Sequence, residues 1–279
     1  MKGRAKTALG RLVFAAGLNA LFLRNVGLIV AFHRVQDGED SQGLSIGRDL
    51  FARHCRFFKR HFDVVRLADL VTRLERGEAV DRQLAITFDD GYRDNFVNAR
   101  PVLEDLSLPA TFFVVSQWIG SDAWPWWDRE QGVRHPWMTW DQVKYLNQAG
   151  FDIGAHTRTH ADLGQIAEAT AREEIFGARR DLERRLQRPI DLFAYPYGRR
   201  TNMTESNRAL VKAAGFRCCC SCYGGLTPRG ADPFQLQRLA VSPWYDSPDQ
   251  FGMELLRQPG AETPPRGGRC SEISAAIGY

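Results

Sequence analysis

The sequence predicts an α/β fold in which parallel strands, joined by helices, close into a βα barrel. Apolar β-prone runs and helical patterns alternate about seven times along the 279 residues, which is typical of parallel strands with helical crossovers. Ionisable side chains directly follow several predicted strands, namely His33, Asp89, Asp90, His156 and His160. Because the carboxyl ends of barrel strands form one rim, these groups are expected to meet there.

The composition is that of a globular chain, with 44% apolar and 25% charged residues. This length suits one large α/β domain, although two small domains also fit it. The formal net charge of +4 comes from scattered arginines, so it favours anionic surfaces only weakly. No nucleic-acid-binding motif occurs, and no nucleic-acid partner is expected.

Cysteine usage indicates a reducing compartment. Four of the six cysteines lie within residues 218–222, too close together for a disulfide framework or a tetrahedral zinc site. They are predicted to be small apolar residues of a buried strand. Cys55 and Cys270 are isolated, which fits reduced thiols better than paired ones.

The first 24 residues predict a basic amphipathic helix. Basic residues open the segment, an apolar run follows over 12–18, and Asn19 and Arg24 interrupt and close it. The run superficially resembles a signal peptide, but it is too short and mixed for a membrane span. The helix either packs on the domain or lies at a membrane surface. We therefore expect a cytoplasmic or membrane-peripheral location, with export left open.

The remaining elements follow in order. Strands are predicted over residues 26–32, 62–65, 84–88, 110–115, 151–155, 191–195, 216–220 and 237–241. Helices are predicted over residues 50–60, 67–76, 98–106 and 140–150, from residue 170 onward, and over 208–214. Thr139 and Thr170 each open a capping-box pattern. We expect one barrel domain over 25–257 and a flexible, Pro/Gly-rich tail over 258–279.

The strand over 84–88 ends in two adjacent carboxylates, Asp89 and Asp90, followed by Gly91. Neighbouring carboxylates repel, so a divalent cation on one of them would leave the other to act as a base. The alternative is an ordinary strand-to-turn junction, because Asp-Gly is common in turns. A histidine pair elsewhere in the chain favours the metal site.

His156 and His160 are four residues apart, which lets both imidazoles reach one ion. With Asp90 they form a set of two histidines and one carboxylate that leaves coordination positions open for water and substrate. Such a set suits hydrolysis, because a cation lowers the pKa of bound water from about 15.7 towards roughly 7. Asp89 is then the candidate base, and His33 the candidate acid for an amine leaving group.

Six of the seven tryptophans lie between residues 118 and 140. The segment predicts a long loop, and long loops in compact domains are often functional. Flat rings suit stacking on sugars, so Trp126 and Trp127 are assigned to substrate binding. A local aromatic core explains the clustering equally well.

Three segments carry a family resemblance: residues 87–91 (Thr-Phe-Asp-Asp-Gly), 156–160 (His-Thr-Arg-Thr-His) and 193–198 (Phe-Ala-Tyr-Pro-Tyr-Gly). Together they resemble the polysaccharide deacetylase family, carbohydrate esterase family 4. The resemblance extends from about His33 to Val241. It implies a distorted (β/α)7 barrel and zinc-type, metal-dependent removal of N- or O-acetyl groups from sugars.

The resemblance also implies roles for individual residues. Asp89 is the base, and the metal ligands are Asp90, His156 and His160. The backbone N–H of Tyr197 is the oxyanion donor, in a turn well suited to present one. Pro196, in the same turn, is placed with the substrate-binding residues.

Two departures from the family pattern concern the acid and an arginine. No histidine follows His160, so a late catalytic histidine is absent. The segment around His33 is similar to the branch containing poly-N-acetylglucosamine deacetylases, where that histidine comes first. Many members also carry an arginine where Ala194 and Tyr195 stand. Arg238 is hypothesised to orient Asp89 in place of that arginine. It is also assigned to substrate binding.

The leading hypothesis is a metal-dependent hydrolase that removes acetyl groups, chiefly N-acetyl, from a polysaccharide or glycan intermediate. One divalent cation, zinc, is expected. The alternatives are a catalytically idle carbohydrate-binding or assembly protein and a hydrolase of small amides on the same barrel. The complete metal set beside Asp89 argues against the idle protein.

Overall fold

Parallel strands pair side by side around a central axis in the computed structural model, which describes residues 2–38, 43–241, 243 and 245–257, with side chains from Ala5 onward. The tail predicted over 258–279 lies outside these residues. Within the described part of the chain the strands are β1 (Val26–Phe32), β2 (Arg34–Val35), β3 (Ser45–Ile46), β4 (Asp63–Val64), β5 (Gln83–Phe88), β6 (Thr111–Val114), β7 (Asp152–Ala155), β8 (Leu192–Ala194), β9 (Cys218–Cys220), β10 (Thr227–Pro228) and β11 (Leu239–Ala240).

The α-helices lie mainly between successive strands. In the same residues they are α1 (Lys2–Ala15), α2 (Asn19–Phe22), α3 (Arg48–His61), α4 (Leu67–Glu75), α5 (Arg100–Asp105), α6 (Trp126–Glu130), α7 (Trp140–Gln148), α8 (Glu168–Leu186), α9 (Glu205–Ala213) and α10 (Pro248–Leu255). A π-helical turn, Asn95–Ala99, precedes α5. Every strand predicted from the sequence is present, with ends within two residues of the prediction.

Seven of these strands run round the barrel. β1, β5, β6, β7, β8 and β9 pair in that order, all in parallel. β11 pairs in parallel with the other edge of β1. Between β9 and β11, Cys220 pairs with Leu236 and the Ser221 N–H donates to the Leu236 carbonyl at 2.8 Å. The crossover over 221–238 contains no α-helix, so the ring is irregular there. The predicted distorted (β/α)7 barrel is confirmed.

Alternate residues on each strand pack in different layers, because strand side chains point to opposite faces in turn. Ile29 and Ala85 share an inner cluster with residues from three further strands and with α4. Leu28 and Val30 pack outward against the helices. Cys218 and Cys220 face inward and Cys219 outward, all fully buried. The prediction of small apolar residues in a buried strand is confirmed for these three cysteines. It is wrong for Cys222, which follows the end of β9 and is half-buried.

The two capping-box predictions have opposite outcomes. Thr139 caps α7: its Oγ1 accepts the Gln142 N–H at 3.3 Å, and the Gln142 side chain accepts the Thr139 N–H at 3.0 Å. Thr170 lies inside α8, which begins earlier, after Ala167, without a side-chain cap. The prediction for Thr170 is wrong because Ala167, whose backbone is extended, is the last residue before the helix. α8 therefore begins at Glu168, two residues before Thr170.

The N-terminal segment forms two helices rather than one, with a turn over 16–18. Phe14 anchors α1, with its ring 4.8 Å from that of Phe57 and 6.1 Å from that of Phe62. No helix among the described residues is long and apolar enough to cross a membrane. The division into residues 1–24, 25–257 and 258–279 stays a prediction.

Candidate active site

The ionisable residues predicted at strand ends do converge on one rim. His33 follows β1, Asp89 and Asp90 follow β5, and His156 follows β7. Asp89 and Asp90 lie within 4.0 Å of one or more of the predicted histidines. The parallel register of the strands produces this meeting, because it places their carboxyl ends at the same level.

Asp90, His156 and His160 form a compact, buried trio. Asp90 Oδ1 lies 3.4 Å from His156 Nε2 and 3.2 Å from His160 Nε2. One ligand atom from each of the three residues lies within 4.8 Å of the others. The trio predicted as metal ligands is therefore assembled in space.

A hydrogen bond shows which nitrogen of His156 carries the proton when the ring is neutral. Its Nδ1 lies 2.9 Å from the Ala194 carbonyl oxygen, which can only accept, so Nδ1 donates and Nε2 of the neutral ring presents a lone pair. That lone pair faces Asp90 Oδ1, a buried oxygen with no hydrogen bond among the described residues. Two acceptors facing each other repel, so the arrangement fits a cation held between them.

The spacing of the trio also fits a zinc-like ion. A four-coordinate zinc ion with bonds of about 2.0–2.1 Å holds its ligand atoms about 3.3 Å apart. The separations of 3.4 Å and 3.2 Å from Asp90 Oδ1 match this value. Three protein ligands would leave a further position for reacting groups, as in catalytic sites.

The charge state of Asp90 agrees with a ligand role. Burial favours the neutral acid, but protonated imidazoles at His156 and His160 outweigh it and hold the pKa of the carboxyl well below its usual value. A cation between the ligands would supply the same positive charge. Asp90 is therefore a carboxylate at neutral pH.

Backbone strain is concentrated at this site. Eight non-glycine residues in the described part of the chain have positive φ, and four of them are Asp90 (72°), Thr157 (62°), His160 (62°) and Tyr197 (61°). Such conformations are uncommon outside glycine and persist only where the surroundings hold them. The fold therefore holds the loops of the rim in a fixed shape.

Glu174 of α8 holds the loop between the two histidines. Its Oε2 accepts the backbone N–H groups of Arg158 and Thr159, both at 2.9 Å, and its Oε1 accepts the Thr159 hydroxyl at 2.8 Å. Glu174 is itself buried. Sequence reasoning missed this residue, because no local pattern marks a glutamate on a remote helix as a loop anchor.

Arg238 forms a two-pronged ion pair with Asp89. Its Nη1 and Nη2 donate to Oδ1 and Oδ2 of Asp89, both at 2.7 Å, and Nη1 also donates to the Thr87 hydroxyl at 3.1 Å. Burial opposes ionisation of Asp89, but Arg238, aided by His156 and His33, prevails and lowers the pKa of the carboxyl. The hypothesised contact between Arg238 and Asp89 is present.

The assignment of Arg238 to substrate binding is corrected. Its side chain is 0% exposed, and its Nε donates to the Ser221 carbonyl at 2.6 Å. Arg238 thus lies beneath Asp89 inside the barrel, where a substrate cannot reach it.

His33 lies at the edge of the site, with Nε2 4.0 Å from Asp89 Oδ2. Its side chain is partly open to solvent. Burial of the ring lowers its pKa below 6.5, against the pull of Asp90 and Asp89. Asn95 anchors the backbone here by donating from Nδ2 to the His33 carbonyl at 2.7 Å. His33 is therefore held within reach of Asp89 but not hydrogen-bonded to it.

The turn of Pro196, Tyr197 and Gly198 lies beside His160, whose ring is 4.9 Å from that of Tyr197. A Cβ added at Gly198 would meet the Cys222 backbone nitrogen at 2.5 Å, so only glycine fits this approach. Pro196 is buried, which assigns it to shaping the turn rather than to substrate contact. The oxyanion role of the Tyr197 N–H stays a prediction.

The tryptophan segment forms an aromatic core against the metal trio. Trp127 is 2% exposed, and its Nε1 donates to the Tyr92 hydroxyl at 3.1 Å. The rings of Trp118 and Trp127 lie 5.3 Å and 5.0 Å from that of His160. For Trp127 the sugar-stacking assignment is wrong, because its faces are covered. Trp126 is only half-buried, and its assignment stays a prediction.

A buried ion pair fastens this aromatic segment to the barrel. Arg34 Nη1 donates to Asp128 Oδ1 at 3.0 Å, and both side chains are almost fully buried. Arg34 also lies over the Tyr92 ring, 5.3 Å from its centroid. In the sequence, Arg34 stands out only because it directly follows His33. Nothing local identifies Asp128 as its partner, since the two residues are 94 positions apart.

Comparisons with known proteins agree with this geometry. The chain matches the family model described as polysaccharide deacetylase over residues 76–219, slightly more than half of its length. It is 26% identical over 163 residues to putative polysaccharide deacetylase YxkH of Bacillus subtilis, a match covering 58% of this chain and 53% of that relative. The chain thus spans about half the length of YxkH.

Other relatives are covered more completely. Poly-beta-1,6-N-acetyl-D-glucosamine N-deacetylase of Staphylococcus aureus is 21% identical over 245 residues, covering 80% of this chain and 76% of that protein. Among solved structures, Streptococcus pyogenes deacetylase PplD, in complex with acetate, superposes with a TM-score of 0.69 at 20% identity, covering 83% of this chain and 98% of that one.

A second solved structure, IcaB from Ammonifex degensii, superposes with a TM-score of 0.68 at 23% identity. It covers 82% of this chain and 96% of its own. At these identities the superpositions show a shared fold. Together with the match over 76–219, they confirm the resemblance inferred from the three sequence motifs. The chain belongs to the polysaccharide deacetylase family.

Proposed function

We propose that this chain is a metal-dependent hydrolase that removes N-acetyl groups from a polysaccharide or glycan intermediate. The observation that carries the proposal is the meeting of Asp90, His156 and His160 with an Asp89 carboxylate held by Arg238. The name of the Staphylococcus aureus relative, an N-deacetylase of poly-beta-1,6-N-acetyl-D-glucosamine, supports the choice of an N-acetylated glycan.

Asp90, His156 and His160 would hold one divalent cation. Two imidazoles and one carboxylate with an open position are typical of catalytic zinc, which makes zinc the proposed metal. A cation held there supplies Lewis-acid chemistry, by polarising the acetyl carbonyl and lowering the pKa of water. The hydrogen bond from His156 Nδ1 to the Ala194 carbonyl orients the ligand ring for this role.

Asp89 would act as the general base. Its two-pronged contact with Arg238 fixes the plane of the carboxylate at the rim. From there Asp89 takes a proton as water adds to the acetyl carbonyl. The developing oxyanion would accept a hydrogen bond from the backbone N–H of Tyr197.

His33 would deliver a proton to the leaving nitrogen. An amine leaves poorly unless it is protonated, and Nε2 of His33 is 4.0 Å from Asp89 Oδ2. A proton taken by Asp89 can therefore pass to His33 and on to the departing amine. Acetate and a free amino sugar are the products.

The deciding experiment is acetate release from N-acetylglucosamine oligomers. We expect release by the metal-loaded chain, loss of release after treatment with a chelator, and recovery when zinc is added back. Acetate release that is indifferent to the chelator would reject the metal-dependent mechanism.

The same assay separates the alternative functions. A catalytically idle carbohydrate-binding protein would bind the oligomers without releasing acetate in the presence of any divalent metal. A hydrolase of small amides would cleave simple acetamides faster than the sugar oligomers. The cytoplasmic or membrane-peripheral location stays a prediction.

A further inference from the structure

The N-terminal helices present an apolar surface to solvent. Nine large apolar side chains are exposed in the described part of the chain, and five of them fall within the first 22 positions. Leu12, Leu21 and Phe22 are 68%, 74% and 60% exposed, and Leu9 and Leu18 lie beside them in sequence. Because single exposed apolar residues are ordinary, it is the grouping that requires an explanation.

The opposite face of α1 is already packed. Phe14 lies against Phe57, and a Cβ added at Gly10 would clash with the Asp249 carbonyl of α10. Leu9 and Leu12 therefore project from the face that turns away from the barrel. A helix that is apolar on both faces is normally covered on both.

The segment that carries this surface contributes charges of one sign. The first 24 residues contain five basic residues, Lys2, Arg4, Lys6, Arg11 and Arg24, and no acidic residue. Lys6 and Arg11 contact Glu254 and Asp249 of α10, while Arg24 is exposed. An apolar surface bordered by cations is complementary to a lipid interface that carries negative headgroups.

We propose that α1 and α2 dock this chain on an anionic membrane surface. Leu9, Leu12, Leu18, Leu21 and Phe22 would enter the boundary between headgroups and acyl chains, with basic side chains at the headgroups. The association is peripheral. It is independent of the catalytic chemistry proposed above.

A second copy of the chain fits the surface less well. A two-fold interface places the same patch on both subunits, which would bring the Arg11 and Arg24 side chains of the two copies together. Like charges brought together in this way are unfavourable. An anionic bilayer meets the apolar and the basic groups at once.

The docking surface and the catalytic rim lie at opposite ends of β1. α2 ends at Phe22 and β1 begins at Val26, whereas His33 follows the other end of β1. A seven-residue strand is roughly 23 Å long. Docking through α2 would therefore leave the rim open towards a glycan in the adjacent aqueous space.

The test is cosedimentation of the full chain with lipid vesicles. We expect binding to vesicles of phosphatidylcholine mixed with phosphatidylglycerol, weaker binding to phosphatidylcholine alone, and weaker binding to the mixed vesicles at high salt. The triple variant Leu12→Ser, Leu21→Ser, Phe22→Ser should lower partitioning into mixed vesicles by about tenfold or more, because each side chain contributes apolar area.

Matched variants separate this surface from ordinary surface residues. Val97→Ser removes an apolar side chain exposed elsewhere, at 50%, and should leave partitioning unchanged. Arg11→Gln with Arg24→Gln should lower it by about fivefold per charge. Arg76→Gln with Arg184→Gln, two exposed arginines outside the segment, should have no effect.

Several results would overturn the proposal. They are an absence of binding to mixed vesicles, an equal loss in the Val97→Ser control, and binding that ignores both lipid charge and salt. A dimer that the triple variant dissociates, without vesicle binding, would assign the surface to a second copy. If the triple variant fails to fold, the arginine variants and the salt series still decide.

Discussion

The rim of the barrel has two halves, each with one buried aspartate, and the two carboxylates are stabilised by different partners. In the metal half, Asp90 meets two imidazoles, and one of these turns a lone pair towards it. In the proton-transfer half, Asp89 meets the permanently charged guanidinium of Arg238. On the proposed function a metal ion completes the first half, whereas the second is complete within the chain.

The two halves also draw on different parts of the sequence. The metal trio lies within residues 76–219, the part matched by the family model. His33 and Arg238 lie outside it, directly after β1 and directly before β11. Because β11 pairs directly with β1, closing the barrel brings both ends of the chain to Asp89. On the proposed function, proton transfer therefore depends on closure of the barrel, and metal binding on the ends of two strands, β5 and β7.

The largest effect is expected from His156→Ala, which breaks the metal half. Loss of one of three ligands should remove stoichiometric metal and with it all measurable acetate release. The check is elemental analysis of the purified variant beside an activity assay. His61→Ala, which changes a histidine of α3 away from the rim, is the matched control and should retain both. Full metal content in His156→Ala would reject the ligand assignment.

Asp89→Asn should break the proton-transfer half alone. The amide keeps the shape of the side chain but cannot take a proton, so acetate release should fall by about 10² to 10⁴. Metal content should equal that of the unaltered chain, since Asp89 is not in the trio. Near-normal turnover of the metal-loaded variant would leave Asp89 with a structural role.

His33→Ala should affect the same half selectively. Hydrolysis of an N-acetyl sugar should fall by about 10² or more, because the amine needs a proton to leave. Hydrolysis of an activated aryl acetate should change little, since a phenolate leaves without help. Equal losses on both substrates, or loss of metal, would make His33 a positioning residue.

Arg238→Met tests whether the ion pair is what completes the proton-transfer half. Removing one partner of a buried pair should lower the free energy of unfolding by about 3–5 kcal/mol, because the Asp89 charge is left buried alone. In the Asp89→Asn background the same change should cost much less. Urea unfolding of the four proteins measures this coupling, and equal costs in both backgrounds would contradict it.

Sequence reasoning found the residues that strand ends display and missed those that depend on distant contacts. Asp89, Asp90 and His156 could be located because they follow β-prone runs, and His160 because it lies four residues after His156. The pairing of Arg34 with Asp128 spans 94 positions, and no local pattern indicates it. Trp127 was misassigned because clustering in sequence does not tell which rings are covered.

The smallest effect concerns His54, a buried histidine outside the rim. It serves as a reference for the histidines of the rim. His54 of α3 is fully buried, with its ring 5.7 Å from that of Phe58 and 5.5 Å from that of Phe251. Neither ring nitrogen has a hydrogen-bond partner among the described residues, in contrast to His156. Burial, reinforced by Arg53, lowers the pKa of His54 from 6.5 to about 3.

That lowered pKa makes the folded state sensitive to acid. Below pH 6.5 the unfolded chain takes up a proton at His54 while the folded chain does not until about pH 3. The contribution of His54 to the free energy of unfolding is thus intact above pH 6.5. It falls by about 1.4 kcal/mol per pH unit as the pH drops from 6.5 towards about 3. His54→Leu removes the titrating group and the unsatisfied polar atoms, so it should stabilise the protein at every pH in this range.

The gain from His54→Leu should be about 2 kcal/mol larger at about pH 5 than at about pH 8, because that interval includes about 1.5 pH units below 6.5. Urea unfolding of both proteins at the two pH values measures the difference. His61→Leu, on the same helix but only half-buried, should show a smaller pH-dependent gain. An equal gain at both pH values would mean that His54 is protonated, or finds a partner, in the folded protein. Such a result would mean that His54 differs less from His156, whose Nδ1 has a hydrogen-bond partner, than its unpaired ring nitrogens indicate.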